Sequence, residues 1–131
     1  MHPRSFLVVI LSLFSGIVAA QTSPFTHQDT LRGSITPERA WWDLTYYHLN
    51  IKVNPADSTI QGKNTVQYKV LTPGQRMQID LQEPMRINKV IQAGKELTYK
   101  RDGNAYFIQL AAQQRPGDVN EVEVYYGGRP P

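Results

Sequence analysis

The 131-residue chain carries 14 Lys and Arg against 11 Asp and Glu, a formal charge of +3, and no cysteine. The basic residues Lys63, Lys69, Arg86 and Lys100 stand singly along extended segments, so the charge supplies no concentrated stripe and no nucleic-acid partner is expected. With no cysteine there are no disulfides, no thiolate metal sites and no cysteine nucleophile, and core packing alone must hold the fold.

The first segment reads as an address. Met1 to Ser5 contain one cation, Arg4; Phe6 to Val18 form an apolar run broken by Ser12, Ser15 and Gly16; Val18-Ala19-Ala20 place small residues before Gln21. This is the pattern of a secretory signal peptide (residues 1–20) cleaved after Ala20, and the run is shorter than the ~20 residues that cross a bilayer. The expectation is an exported chain of residues 21–131, periplasmic, cell-surface or secreted, with no membrane span after cleavage. A lipid anchor at the cleavage site would need a cysteine there, and none exists.

Residues 21–42 read as a leader. Gln21 to Ser34 are polar and turn-rich without an apolar period, and Thr36-Pro37-Glu38-Arg39 predict a short helical turn with Thr36 as cap and Pro37 at the first helical position. Trp41 and Trp42 follow, as aromatics that seal the end of a core or as a stacking platform for a sugar or peptide. From Tyr47 the period becomes two. Tyr47, Leu49, Ile51 and Val53 alternate with His48, Asn50 and Lys52, the turn Asn54 to Ser58 follows, and the chain returns through Ile60 to Val70 as the second arm of a hairpin. Met77 to Leu81 predict a third strand closed by Pro84, and Ile87, Val90 and Ile91 a fourth. Leu97 to Lys100 and Tyr106 to Leu110 flank Asp102-Gly103, a hairpin turn that needs positive φ. Pro116-Gly117-Asp118 turn the chain into a last strand, Val119 to Tyr126, with Val122, Val124 and Tyr126 inward and Glu121 and Glu123 outward. Short strands at this spacing, with no amphipathic helix between them, predict an all-β fold: an antiparallel β-sandwich or curved sheet.

No residue reads as catalytic, cofactor-binding or metal-ligating. His27 lies in the leader, and His48 on a polar strand face has no second histidine or carboxylate two or four residues away, so it reads as solvated. Glu121 and Glu123 share a solvent face, whereas an acid/base pair needs two environments. Ser34 and Ser58 have no histidine nearby in sequence, and Gly127-Gly128 precede Arg129-Pro130-Pro131 rather than a helix, so they form no phosphate loop.

The ordered strand signatures carry a resemblance. Asp43-Leu44-Thr45-Tyr46-Tyr47-His48-Leu49 with Ile60-Gln61-Gly62, then Met77-Gln78-Ile79-Asp80-Leu81, Val90 to Leu97, and Val122 to Pro130 resemble the opening strands of the aminopeptidase N family. The Arg39-Ala40-Trp41-Trp42-Asp43 entry is similar to exported bacterial members. The resemblance implies that residues 43–131 are part of the saddle-like N-terminal β domain of a zinc aminopeptidase, left incomplete, and that the parent holds one zinc through H-E-x-x-H and a distant glutamate, with a G-x-M-E-N loop for the peptide amine. Neither motif stands in this sequence. The chain alone is therefore expected to bind no zinc, and peptide substrates to be the parent's partners through a catalytic domain. The fragment itself is expected to self-associate through an open sheet edge, at the strand ending at Tyr126 or a neighbour. The alternatives are a stand-alone exported β-sandwich that binds protein or carbohydrate through Trp41, Trp42, Tyr46 and Tyr125, and a structural module without a ligand.

Overall fold

The computed structural model describes residues 24–131; the signal-peptide reading of residues 1–20 lies outside them. Two helices precede eight strands: α1 His27–Gly33, α2 Pro37–Ala40, β1 Trp42–Asn54, β2 Thr59–Val70, β3 Gly74–Asp80, β4 Arg86–Gln92, β5 Lys95–Glu96, β6 Thr98–Asp102, β7 Ala105–Gln114 and β8 Val119–Gly128. Sheet A has the order β1-β2-β8-β4-β5 and sheet B the order β3-β7-β6, with every pairing antiparallel. The expected all-β architecture is present, and no described helix is long and apolar enough to cross a membrane.

Local chemistry sets the turns. Asn54 Oδ1 and Asp57 Oδ1 accept backbone N–H groups two residues on within the β1–β2 loop, the Asx geometry that the Asn-Pro-Ala-Asp sequence favours. Ala93 and Gly94, both at positive φ, join β4 to β5 as a two-residue loop. Gly103, at φ 58°, and Asn104 join β6 to β7.

The core forms where the alternating faces of the two sheets meet. Val66, Tyr68 and Val70 of β2, Val122 and Val124 of β8, and Val90 of β4 face Met77 of β3 and Ile108 and Leu110 of β7. Tyr68 is fully buried, and its burial pushes the phenol pKa up. Its hydroxyl donates to Gln114 Oε1 at 2.9 Å and accepts from Gln92 Nε2 at 2.8 Å, which ties β2 to β7 and β4. Trp41 closes one end of the core, edge-on to Tyr68, with its indole N–H donated to the Arg76 carbonyl.

Three features differ from the sequence reading. The segment read as an aperiodic leader contains α1, begun by a capping box in which Thr26 Oγ1 accepts from the Asp29 N–H and the Asp29 carboxylate accepts from the Thr26 N–H. The signal was a Thr-x-x-Asp spacing; too few apolar residues follow for a period to show, and only Leu31 is buried. Thr36 does precede α2, but its hydroxyl makes no cap and donates instead to buried Gln78 Oε1 at 2.7 Å. Finally, β8 is no edge. It pairs with β2 on one side and β4 on the other, and the edges of sheet A are β1 and the two-residue β5.

Gly74 opens β3 against the face of the Trp41 indole, where a Cβ would overlap the ring. Because that ring is buried and held through its N–H, Gly74→Ala should lower unfolding stability by about 1–3 kcal/mol, the usual cost of overpacking. Urea unfolding followed by tryptophan fluorescence measures this; an unchanged midpoint would mean that Trp41 is free to move.

Candidate functional site

The residues flagged in the sequence are dispersed by the fold. His48 sits on the solvent face of β1 opposite Thr65. His27, on α1, lies with Nε2 2.7 Å from Asp102 Oδ2 at the β6–β7 turn, while Gln28 donates to Asp102 Oδ1 at 2.9 Å. These contacts fasten the helix to the turn, and hydrogen bonding to His27 is the main cause of a lowered Asp102 pKa. Among the described residues no three His, Asp or Glu side chains come together as metal donors. The donors present do not fit a zinc site: one histidine is engaged by a carboxylate, and the other stands on an open strand face.

Glu121 and Glu123 lie on the outer face of sheet A as expected, each with its own partner. Glu121 accepts from Gln67 Nε2. Glu123 accepts from Lys63 Nζ at 2.7 Å and from the Tyr125 hydroxyl at 3.2 Å, and the hydrogen bond from Lys63 is the first cause of its lowered pKa. Lys63 is shifted up by the same bond. Lys89 stands 4.4 Å from the Tyr125 ring centroid, so cations from β2 and β4 flank the ring on β8. A carboxylate held ionised in this way is a poor proton donor at neutral pH. The cluster was hidden from sequence reading because nothing local places β8 beside β2.

The tryptophans are committed to packing. Trp41 is 4% exposed, and partly buried Trp42 donates its N–H to the Glu38 carbonyl and packs edge-on to Tyr68. Ser34 and Ser58 occupy the C-cap of α1 and the β1–β2 loop, and Ser58 takes φ 57°. Gly127 and Gly128 close β8, where Gly128, at φ 138°, lies against Met85.

Between α1 and the β6–β7 turn runs a cleft of about 280 Å³ lined by Gln28, Leu31, Arg32, Asp80, Gln82 and Asn104. Its charged groups already have protein partners: Arg32 pairs with Asp29, and Asp80 with Arg39. A second cleft, of about 360 Å³, opens where β1 passes β3 and is walled by Arg39, Trp42, Leu44, Tyr47 and Ile79. Neither brings a nucleophile beside a base.

No family model and no curated protein sequence matches this chain. Its fold is similar to part of several solved structures. A point mutant of the M1 zinc metallopeptidase from Deinococcus radiodurans, bound to a Tyr-Ser-Ala substrate, matches 72% of this chain with a TM-score of 0.64 and 20% identity. The M1 zinc metallopeptidase from the same organism matches 70% with a TM-score of 0.63 and 20% identity. A two-domain M1 zinc metallopeptidase mutant bound to L-arginine matches 71% with a TM-score of 0.62 and 21% identity. The matched part is 22%, 21% and 21% of those chains, so this chain spans about a fifth of their length. At this identity the likeness establishes a shared β fold.

The Lys63–Glu123 pair gives a titration test. Lowered in the folded chain, the Glu123 pKa contributes stability that is present above the unfolded carboxylate value and fades as pH falls through the folded value. Lys63→Met should raise the Glu123 pKa toward the ordinary glutamate value, as read by NMR titration of the side-chain carboxyl, and should flatten the acid limb of the stability profile. An unmoved Glu123 would show that the ion pair does not form in solution.

Proposed function

We propose that this chain is the N-terminal, non-catalytic β domain, in part, of an exported zinc-dependent aminopeptidase, whose later domains hold the metal and act on peptides. The observation that carries the reading is the fold likeness to M1 zinc metallopeptidases over 72% of the chain. The strand signatures of the aminopeptidase N resemblance support it by their placement. Asp43 to Val53 lie in β1, Met77 to Asp80 in β3, and Gly94-Lys95 at the β4–β5 turn.

Two of those signatures meet as one contact. Gly62, the glycine of Ile60-Gln61-Gly62, pairs across the sheet with Tyr126, the tyrosine of Val124-Tyr125-Tyr126. A methyl group at Gly62 would lie 2.6 Å from Tyr126 Cζ, so a larger residue there would have to displace the phenol ring that crosses the neighbouring strand. Sequence segments more than sixty residues apart therefore depend on each other through the fold.

In this reading the β domain positions and buttresses a cleft built by the rest of the enzyme, and zinc belongs to that other part. Residues 1–20 would deliver the protein outside the cytoplasm, to the periplasm, the cell surface or the medium.

The test is made on the gene and then on its product. The reading frame past the Pro131 codon should encode H-E-x-x-H and a downstream glutamate; a stop codon immediately after Pro131 would count against the reading. The protein expressed from the longer frame should release aminoacyl chromophores, lose that activity on chelation and regain it with zinc. Residues 21–131 alone should do neither, and N-terminal sequencing of the exported product should begin at Gln21.

A further inference from the structure

The outer face of sheet A gathers basic residues that stand singly in the sequence. Across β1, β2, β8 and β4 one row reads Lys52, Gln61, Gly127 and Arg86, and the next reads Asn50, Lys63, Tyr125 and Lys89. With strands about 4.8 Å apart and alternate residues about 7 Å apart, the four cations frame a patch roughly 14 Å by 7 Å. Glu123 is the carboxylate beside it, and Lys63 already holds it at 2.7 Å. Among the described residues no carboxylate pairs with Lys52, Arg86 or Lys89. The other half of the same face is mixed in sign: Asp43 stands opposite Lys69, and Glu121 accepts from Gln67. Covering the unpaired cations with apolar chain would strand buried charges, so this patch stays in water or meets an anion. Neutral hydrogen-bonding groups lie between the cations. Asn50, Gln61 and Tyr125 line a shallow hollow of about 400 Å³ with Lys52 and Lys63, and the Asn88 amide stands next to Gly127.

We propose that this patch binds an acidic polysaccharide of the uronate type, with one carboxylate per sugar, laid across the strands. The cations meet the carboxylates, and the amides of Asn50, Gln61 and Asn88 donate to and accept from the sugar hydroxyls. Tyr125 holds two of the cations in place, with Lys89 Nζ 4.4 Å and Lys63 Nζ 5.9 Å from its ring centroid. Four cations against one carboxylate, spread over this width, suit a sparse polyanion. Duplex DNA, with one charge per ~1.7 Å, calls for a denser stripe. A lipid surface calls for exposed apolar side chains that enter it, and this patch presents amides and cations instead. An acidic peptide meets the cations but carries no dense array of hydroxyls for the amides. Binding here is independent of aminopeptidase activity in a longer chain, and the two tests fail separately.

Isothermal titration calorimetry of the chain with polygalacturonate at low salt should show binding that fades as salt is raised, because exposed charges are screened. Lys52→Glu combined with Arg86→Glu should weaken it by about tenfold or more with circular dichroism unchanged, since both side chains are exposed. Lys69→Glu combined with Lys100→Glu makes the same charge change at exposed lysines outside the patch and should leave binding nearly intact. Gln61→Ala should weaken polygalacturonate binding several-fold and leave any binding of poly-glutamate unchanged. An absence of binding to polygalacturonate, or equal losses in the two double variants, would overturn the proposal. Poly-glutamate or phosphatidylglycerol vesicles bound as tightly as polygalacturonate would overturn it as well, by giving the patch to an acidic peptide or a membrane.

Discussion

The domain depends on β8 being hydrogen-bonded along both edges. Register pairs run from Ile60–Gly128 to Lys69–Val119 on the β2 side and from Arg86–Gly127 to Ile91–Glu123 on the β4 side. Without that insertion the β1–β2 hairpin would have nothing to pair with beyond itself, and an isolated hairpin is marginal in water. Insertion also aligns Val66 with Val122 and Asn64 with Val124, which gives sheet A one continuous inward face for Met77, Ile108 and Leu110 to cover. The outer cluster of Lys63, Glu123, Tyr125 and Lys89 follows from the same register.

Burial of polar groups tightens the two layers. Tyr68 hydroxyl, Gln92, Gln114 and Asn120 form a connected set, with Gln114 Oε1 accepting from both Tyr68 and Asn120. On the other side of sheet B, Gln78 is buried and fully used: its oxygen accepts from Thr36, and its amide donates to the Leu31 carbonyl and to Asp80. A buried amide left unpaired would cost on the order of 1–3 kcal/mol, so the helical leader is required to satisfy β3. Arg39 adds an ion pair to Asp80 from the same segment. The leader thus forms a third layer over part of sheet B, which its polar composition did not announce.

Strand β1 shows how pattern and burial part company. Its alternation of Tyr47, Leu49, Ile51 and Val53 with His48, Asn50 and Lys52 is that of a strand with one dry side, and a strand formed there. Whether an apolar face is covered depends on what lies above it, and sheet B ends over β2. Trp41 and Trp42 show the reverse: aromatics equally suited to a ligand pack in and against the core through their apolar area, with their indole N–H groups satisfied by the Arg76 and Glu38 carbonyls.

Period-two alternation, Asx and Gly turn residues and proline punctuation determined the strands from Tyr47 to Tyr126, the all-β class and the polar outer faces, because each acts over a few neighbouring residues. The strand signatures that carry the resemblance to the aminopeptidase N family were also legible, since they are side chains at fixed local spacing. Strand order was not. That β8 enters between β2 and β4, that Glu123 meets Lys63 and that His27 meets Asp102 are long-range pairings. They are selected by which faces can be buried together, and that competition is decided only when the two sheets pack.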